Sequence, residues 1–108
     1  MLLLTTRGRK TGEAHTVPLL YLRDEETIAV IASYGGRDCH PTWYLNLVDY
    51  PEVTIQTADE QKRLAARTAT PAERERWWPR VVKAYGDYAV YQNRTTREIP
   101  VVLLEPLS

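Results

Sequence analysis

The chain has 108 residues, enough for one domain (residues 1–108) with a buried core and too few for separate cofactor and substrate domains. Fourteen basic residues balance fourteen acidic ones and 44% of the chain is apolar, which excludes a disordered tail and a globally basic nucleic-acid binder. One cysteine, Cys39, allows no internal disulfide, and two histidines, His15 and His40, offer no zinc spacing, so no metal site is expected. The apolar run at residues 1–4 is far too short for a signal or membrane-spanning segment. A reducing cytoplasm is the default compartment, with contact at a membrane surface as the alternative.

Residues 2–6 read as a strand, Arg7-Gly8-Arg9-Lys10-Thr11-Gly12 as a turn, and residues 14–23 as a second strand completing a hairpin. Asp24-Glu25-Glu26 reverses the chain before a buried strand at 27–33, where Ile28, Val30 and Ile31 cluster. The stretch 34–41 contains Gly35-Gly36 and Pro41 and reads as a loop longer than a tight hairpin needs. A short helix follows over 42–49, with Trp43 and Leu47 four apart, and Pro51 stops it. Residues 52–57 and 61–68 alternate as a second hairpin around Ala58-Asp59-Glu60.

Thr70-Pro71-Ala72-Glu73 combines a capping threonine, a proline at the first helical position and a glutamate three residues after the cap, so a helix starts there. Pro79 and Gly86 predict two or three helical pieces up to about Asn93 rather than one rod. Residues 99–105 form a final apolar strand, with Pro100 marking an edge or an opening position. The sum is a mainly β chain of about six strands with two helical insertions and short links, which favours a small antiparallel barrel over a βαβ fold.

Three stretches carry chemistry. Arg7, Arg9 and Lys10 stand between glycines with no acidic residue before Glu13, a plausible anion seat or a solvated hairpin tip. They match neither the phosphate-loop nor the dinucleotide fingerprint. Ser33-Tyr34-Gly35-Gly36-Arg37 and His40-Pro41-Thr42-Trp43-Tyr44-Leu45-Asn46 place hydroxyls, amides and rings at one strand-to-helix junction able to hold a flat polar ring, unless Trp43 is only a core anchor. Tyr85, Tyr88 and Tyr91 recur every three residues and share one face of a helix, as pocket wall or as packing. A phenol of pKa near 10 serves as hydrogen-bond or proton donor rather than as a base. The seven Tyr and three Trp, with no Phe, give nearly every large ring a polar handle.

In order, Thr5-Thr6-Arg7-Gly8-Arg9-Lys10-Thr11-Gly12, Val17-Pro18-Leu19-Leu20-Tyr21, Ala32-Ser33-Tyr34-Gly35-Gly36 and His40-Pro41-Thr42-Trp43-Tyr44-Leu45-Asn46-Leu47 resemble the deazaflavin-dependent nitroreductase family. Tyr50-Pro51-Glu52-Val53 stands where that family has Asn-Pro-x-Val, and the tyrosine row followed by Thr96-Arg97-Glu98-Ile99-Pro100-Val101-Val102 matches its closing segment. The resemblance implies a split β-barrel of the FMN-binding, flavin-reductase-like type that binds reduced coenzyme F420 and passes a hydride to small planar acceptors: quinones, activated alkenes or nitroaromatics. By the same resemblance, Arg9, Lys10 and Thr11 hold the phosphate. His15, Thr16, Val17, Pro18, Leu19 and Leu20 line the cofactor groove. Ile31, Ala32, Ser33 and Tyr34 meet the ring and its ribityl chain, together with Thr42, Trp43, Tyr44, Leu45 and Asn46. Tyr88 contacts the cofactor and is the favoured proton donor, with Tyr85 and Tyr91 shaping the acceptor side. Alternatives are an FMN-dependent oxidoreductase of the same barrel and a non-catalytic deazaflavin carrier. The expected partner is a small planar acceptor, with no nucleic acid, and the chain acts as monomer or homodimer. Close members of that family carry a further segment ahead of the first strand, so acceptor range is the property the resemblance transfers least.

Overall fold

The structure is a computed structural model that describes residues 1–107. Seven strands form one antiparallel sheet: β1 (Leu2–Arg7), β2 (Ala14–Leu19), β3 (Leu22–Asp24), β4 (Thr27–Ile31), β5 (Glu52–Gln56), β6 (Gln61–Thr68) and β7 (Val101–Pro106). Their spatial order is β2-β1-β5-β6-β7-β4-β3. Three helices interrupt the strands: α1 (Thr42–Asp49), α2 (Pro71–Ala84) and α3 (Asp87–Asn93).

Alternation decides which side of the sheet each residue serves. In β1, Leu2 and Leu4 turn inward while Leu3 is exposed, and Val53 and Ile55 do the same in β5. These side chains meet Leu64 and Ala66 of β6 and Val102 and Leu104 of β7, and the sheet curls around Trp43 and Leu47 of α1. The other faces of β4 and β7 present Ala29, Ile31, Val101 and Leu103 to Trp77 and Val81 of α2 and Tyr88 of α3. Strands β4 and β7 are thus buried on both sides, which is why they read as unbroken apolar runs rather than as alternations. The capping box of α2 is complete: Thr70 Oγ1 accepts from Glu73 N at 3.3 Å and the Glu73 carboxylate accepts from Thr70 N at 2.9 Å.

Three expectations are corrected. The strand expected over 14–23 is broken at Leu20-Tyr21, and its halves, β2 and β3, lie at opposite edges of the sheet. Pro18, which has no N–H to give, sits in the edge strand β2, where one side needs no ladder partner. Pro100 marks no edge: β7 lies between β6 and β4, and the proline precedes it, its carbonyl accepting from Ala32 N at 3.1 Å. The helical region up to Asn93 does come in two pieces, α2 and α3, divided beside Gly86, but Pro79 makes no division: α2 runs through it and ends where Tyr85 takes φ −139°, ψ 83°. Its exposed ring faces solvent, while Trp77 and Val81 keep the helix seated on the sheet. Among the described residues, no helix is long and apolar enough to cross a membrane.

Candidate functional site

The bend between β1 and β2 is built around Gly8. Its N–H donates to Glu13 O at 2.7 Å and its carbonyl accepts from Gly12 N at 2.8 Å. A Cβ at Gly8 would meet His15 Nε2 at 2.9 Å and Thr11 Oγ1 at 3.0 Å, so a side chain there would displace the tips of those two side chains. Asn46 of α1, almost fully buried, fixes the bend from below: its Nδ2 donates to Thr6 Oγ1 at 3.2 Å and its Oδ1 accepts from Arg9 N at 3.1 Å. The result is a cavity of about 270 Å³ bordered by Gly8, Arg9, Lys10, Thr11, His15, Thr42 and Asn46. Neither Arg9 nor Lys10 forms an ion pair with a carboxylate among the described residues. The first turn of α1, which carries no acidic side chain, adds the positive end of a helix dipole beside them.

Thr42 also borders a second cavity, of about 460 Å³, so the two lie side by side at the start of α1. Val17, Pro18 and Leu19 of the free edge β2 form one wall of it, and Ile31, Ser33, Tyr34 and Gly35 form another. Pro41 and Trp43 close the floor and Tyr88 reaches in from α3. The loop carrying Tyr34 runs through the left-handed region, with φ of 50°, 64° and 82° at Tyr34, Gly35 and Gly36. At Gly36 this is matched by crowding: a Cβ there would lie 2.6 Å from Tyr91 O.

Tyr85, Tyr88 and Tyr91 stand together, but not on one helix face: Tyr85 ends α2 in a non-helical conformation and Tyr88 and Tyr91 belong to α3, with ring centroids 6.1 and 5.9 Å apart and rings nearly perpendicular, and of the three Tyr88 borders the larger cavity. Their hydroxyls differ. That of Tyr85 donates to Tyr21 O at 3.2 Å, whereas that of Tyr88 has no partner among the described residues. Burial, reinforced by the neighbouring Tyr85 and Tyr91 phenols, pushes Tyr88 above the ordinary phenol range, so it keeps its proton at neutral pH.

Several residues proposed from sequence lie away from both cavities. Thr16 turns to the outer side of the sheet, where its hydroxyl meets Thr5 Oγ1 at 2.8 Å. Leu20 is exposed beyond the end of β2, and Ala32 is wholly buried. The Tyr44 hydroxyl meets Thr68 Oγ1 at 2.7 Å, and Leu45 lies half-buried on α1. Arg7 leaves the basic mouth altogether: strand alternation turns it outward, where its guanidinium lies 4.4 Å from the Tyr50 ring centroid. Sequence reasoning gave no role to Arg97, which the fold brings against the loop before α1, its Nη2 donating to Ser33 O at 2.8 Å. Nothing local signals that contact, since its acceptors are main-chain carbonyls far away along the chain.

The donor set suits a long ligand with an anionic arm and a flat head. Cationic side chains without carboxylate partners flank a glycine cradle at one end, and an apolar slot with a protonated phenol lies at the other. Comparisons with known proteins agree with that shape. A model of the F420H(2)-dependent quinone reductase family matches residues 1–106. The chain is 42% identical over 105 residues to Rv3178 of Mycobacterium tuberculosis (strain ATCC 25618 / H37Rv), covering 97% of this chain and 88% of that one. It is 38% identical over 106 residues to the F420H(2)-dependent quinone reductase Rv1261c of the same strain, covering 95% and 71%. A solved F420-H2 dependent reductase (FDR-A) superposes with a TM-score of 0.88 at 41% identity, covering 96% of this chain and 92% of that one. At 14% identity, a heme storage protein of Vibrio cholerae, HutZ, superposes at a TM-score of 0.69 over 99% of this chain and 81% of its own, a likeness of split-barrel fold alone. With the family matched over nearly its whole length, the chain belongs to the F420H(2)-dependent quinone reductases, oxidoreductases that use the reduced deazaflavin coenzyme F420.

Proposed function

We propose that this chain reduces small planar quinones with F420H2, its two adjacent cavities holding the coenzyme in one orientation. The observation that carries the reading is the pairing of an uncompensated basic bend with an apolar slot through the single residue Thr42. Arg9, Lys10 and Thr11 bind the phosphate of the coenzyme's arm, and His15 and Asn46 keep the bend in shape. Val17, Leu19, Ile31 and Trp43 enclose the ring and exclude water from it. When bound, the reduced deazaflavin supplies the hydride.

The chain's own task at the acceptor is electrostatic. Negative charge develops on the acceptor oxygen as it is reduced, and the Tyr88 hydroxyl, protonated and without an internal partner, is placed to donate a hydrogen bond there. Tyr85 and Tyr91 brace that ring edge-on. Activated alkenes and nitroaromatics share the electron-poor planarity of quinones and are secondary acceptors in the proposal. The FMN and carrier alternatives lose ground to the family match, which is to deazaflavin-dependent quinone reductases.

The compartment proposed is the cytoplasm, supported by an exposed, unpaired Cys39. A homodimer is favoured over a monomer, because a chain 41% identical to this one, with a TM-score of 0.89, is described as a domain-swapped dimer. Equilibrium titration with F420, following tryptophan fluorescence, combined with oxidation of F420H2 by menadione tests the function. Saturable quenching and enzyme-dependent turnover are expected; absence of binding refutes the proposal, and binding without turnover restores the carrier reading.

A further inference from the structure

Arg97 follows the tyrosine row in a motif for which neither cavity supplies a role. Its guanidinium has no carboxylate partner among the described residues. Instead, Nε donates to Arg37 O at 2.8 Å, Nη2 to Ser33 O at 2.8 Å and Ala32 O at 3.3 Å, and Nη1 to His40 Nδ1 at 3.1 Å. Burial and the Arg97 charge hold His40 below the ordinary imidazole range, which keeps its ring neutral and Nδ1 able to accept.

These acceptors span the whole loop between β4 and α1, and Ser33, Tyr34 and Gly35 of that loop border the larger cavity. The loop has little main chain to hold itself: its internal backbone bonds are Gly36 N to Ser33 O at 2.9 Å and Arg37 N to Tyr34 O at 3.2 Å, joined by one exposed side-chain bond from Arg37 Nη1 to the Tyr34 hydroxyl at 3.1 Å. It also carries a non-glycine residue, Tyr34, at φ 50°, a conformation that persists only where surroundings enforce it. Next to Arg97, Thr95 Oγ1 donates to Asp38 Oδ1 at 2.8 Å, and Gly36 is pressed against Tyr91 O.

We infer that Arg97 is a positioning residue for hydride transfer, its planar fork fixing the Ala32–Arg37 backbone as one rigid wall of the ring cavity. The inference rests on the proposed function. Only a guanidinium can reach these diverging carbonyls together; the compact ammonium of lysine keeps the charge but not the fork. Arg97 touches neither the basic bend nor the first cavity, so it governs how the ring sits and not how the arm is held.

The test is Arg97→Lys, with kcat for menadione reduction, the F420 dissociation constant and the melting temperature all measured. A misplacement of reacting groups by a fraction of an ångström lowers kcat by about 10- to 100-fold, while F420 affinity stays within about threefold and melting is retained. Asp38→Ala, which loosens the same loop at its exposed side, shows the same pattern more weakly and decides the matter should Arg97→Lys fail to fold. An undiminished kcat in the folded variant, or kcat, affinity and melting temperature falling together, overturns the inference. Wild-type protein that binds no F420 or turns over no quinone refutes the functional reading instead.

Discussion

The cleft under α2 and the slot beside α1 are almost equal in size, about 470 and 460 Å³, yet they dispose of charge in opposite ways. In the cleft, Arg80 meets Asp24 at 3.1 Å and lies 4.6 Å over the Trp77 ring, while Arg67 bridges Glu73 at 2.6 Å and Glu105 at 2.7 Å. Those pairs bind helix to sheet, although Arg76 and Glu25 also border the cleft and form no ion pair among the described residues. Beside the slot, Arg9 and Lys10 are held by a buried asparagine and a glycine cradle but have no such carboxylate partner among the described residues. Volume does not separate the proposed ligand site from this crevice; a basic lining free of acidic side chains does.

The sharpest break in that contrast is the double change Arg9→Ala with Lys10→Ala. Two charge-assisted contacts of about 1.5 kcal/mol each predict F420 binding weakened roughly 100-fold, with a shallower dependence on salt. Titrations at low and high ionic strength check it, and an unaltered dissociation constant would mean the arm lies elsewhere. Next comes Asn46→Ala, which orphans two hydrogen bonds at a buried position and costs about 2 kcal/mol of unfolding free energy. Urea denaturation measures it, and weaker F420 binding accompanies it because the bend loses its support.

Tyr88→Phe removes one hydrogen bond at the acceptor, so kcat is expected to fall about 10-fold with cofactor affinity kept. Burial raises this phenol above 10, so the proton stays on at all lower pH and the alkaline loss of kcat in the wild type falls above pH 10. A kcat unchanged by the substitution at every pH would leave water as the proton source. The smallest effect belongs to the paired side. The Arg67 guanidinium, with help from the Thr70 amide, lowers Glu73 to about 2 from 4.5, so its ionised form stabilises the fold above about pH 4.5, and that contribution fades as pH falls through 2. Glu73→Gln is expected to cost about 1 kcal/mol at pH 7, to flatten that acid dependence and to leave F420 binding alone. Loss of binding in this variant would erase the distinction between the two regions.

The start of α2 was legible because Thr70, Pro71 and Glu73 satisfy the helix terminus with residues close in sequence. Spacing made the Tyr88–Tyr91 pair on α3 legible, but not that Tyr85 joins it across the break that ends α2. The break at Leu20-Tyr21 was not, since a local pattern of strand formers gives no sign that the chain must cross to the opposite edge of a curled sheet. Arg7 misled for a related reason: it shares the cluster of charges in sequence, but it belongs to a strand, and alternation sends it to the other face.

Residue order alone determined the short-range devices: the glycine-bounded basic bend, the capped helix, the apolar strands and the family resemblance that joins them. Only the folded chain decided which charges remain without partners, that Thr42 borders two cavities, and that Arg97 reaches a loop distant in sequence. The reason is physical. Helix caps and turns are closed by neighbours a few positions away, whereas a cavity and its electrostatics depend on burial and on long-range pairs that exist only once the sheet has curled around α1.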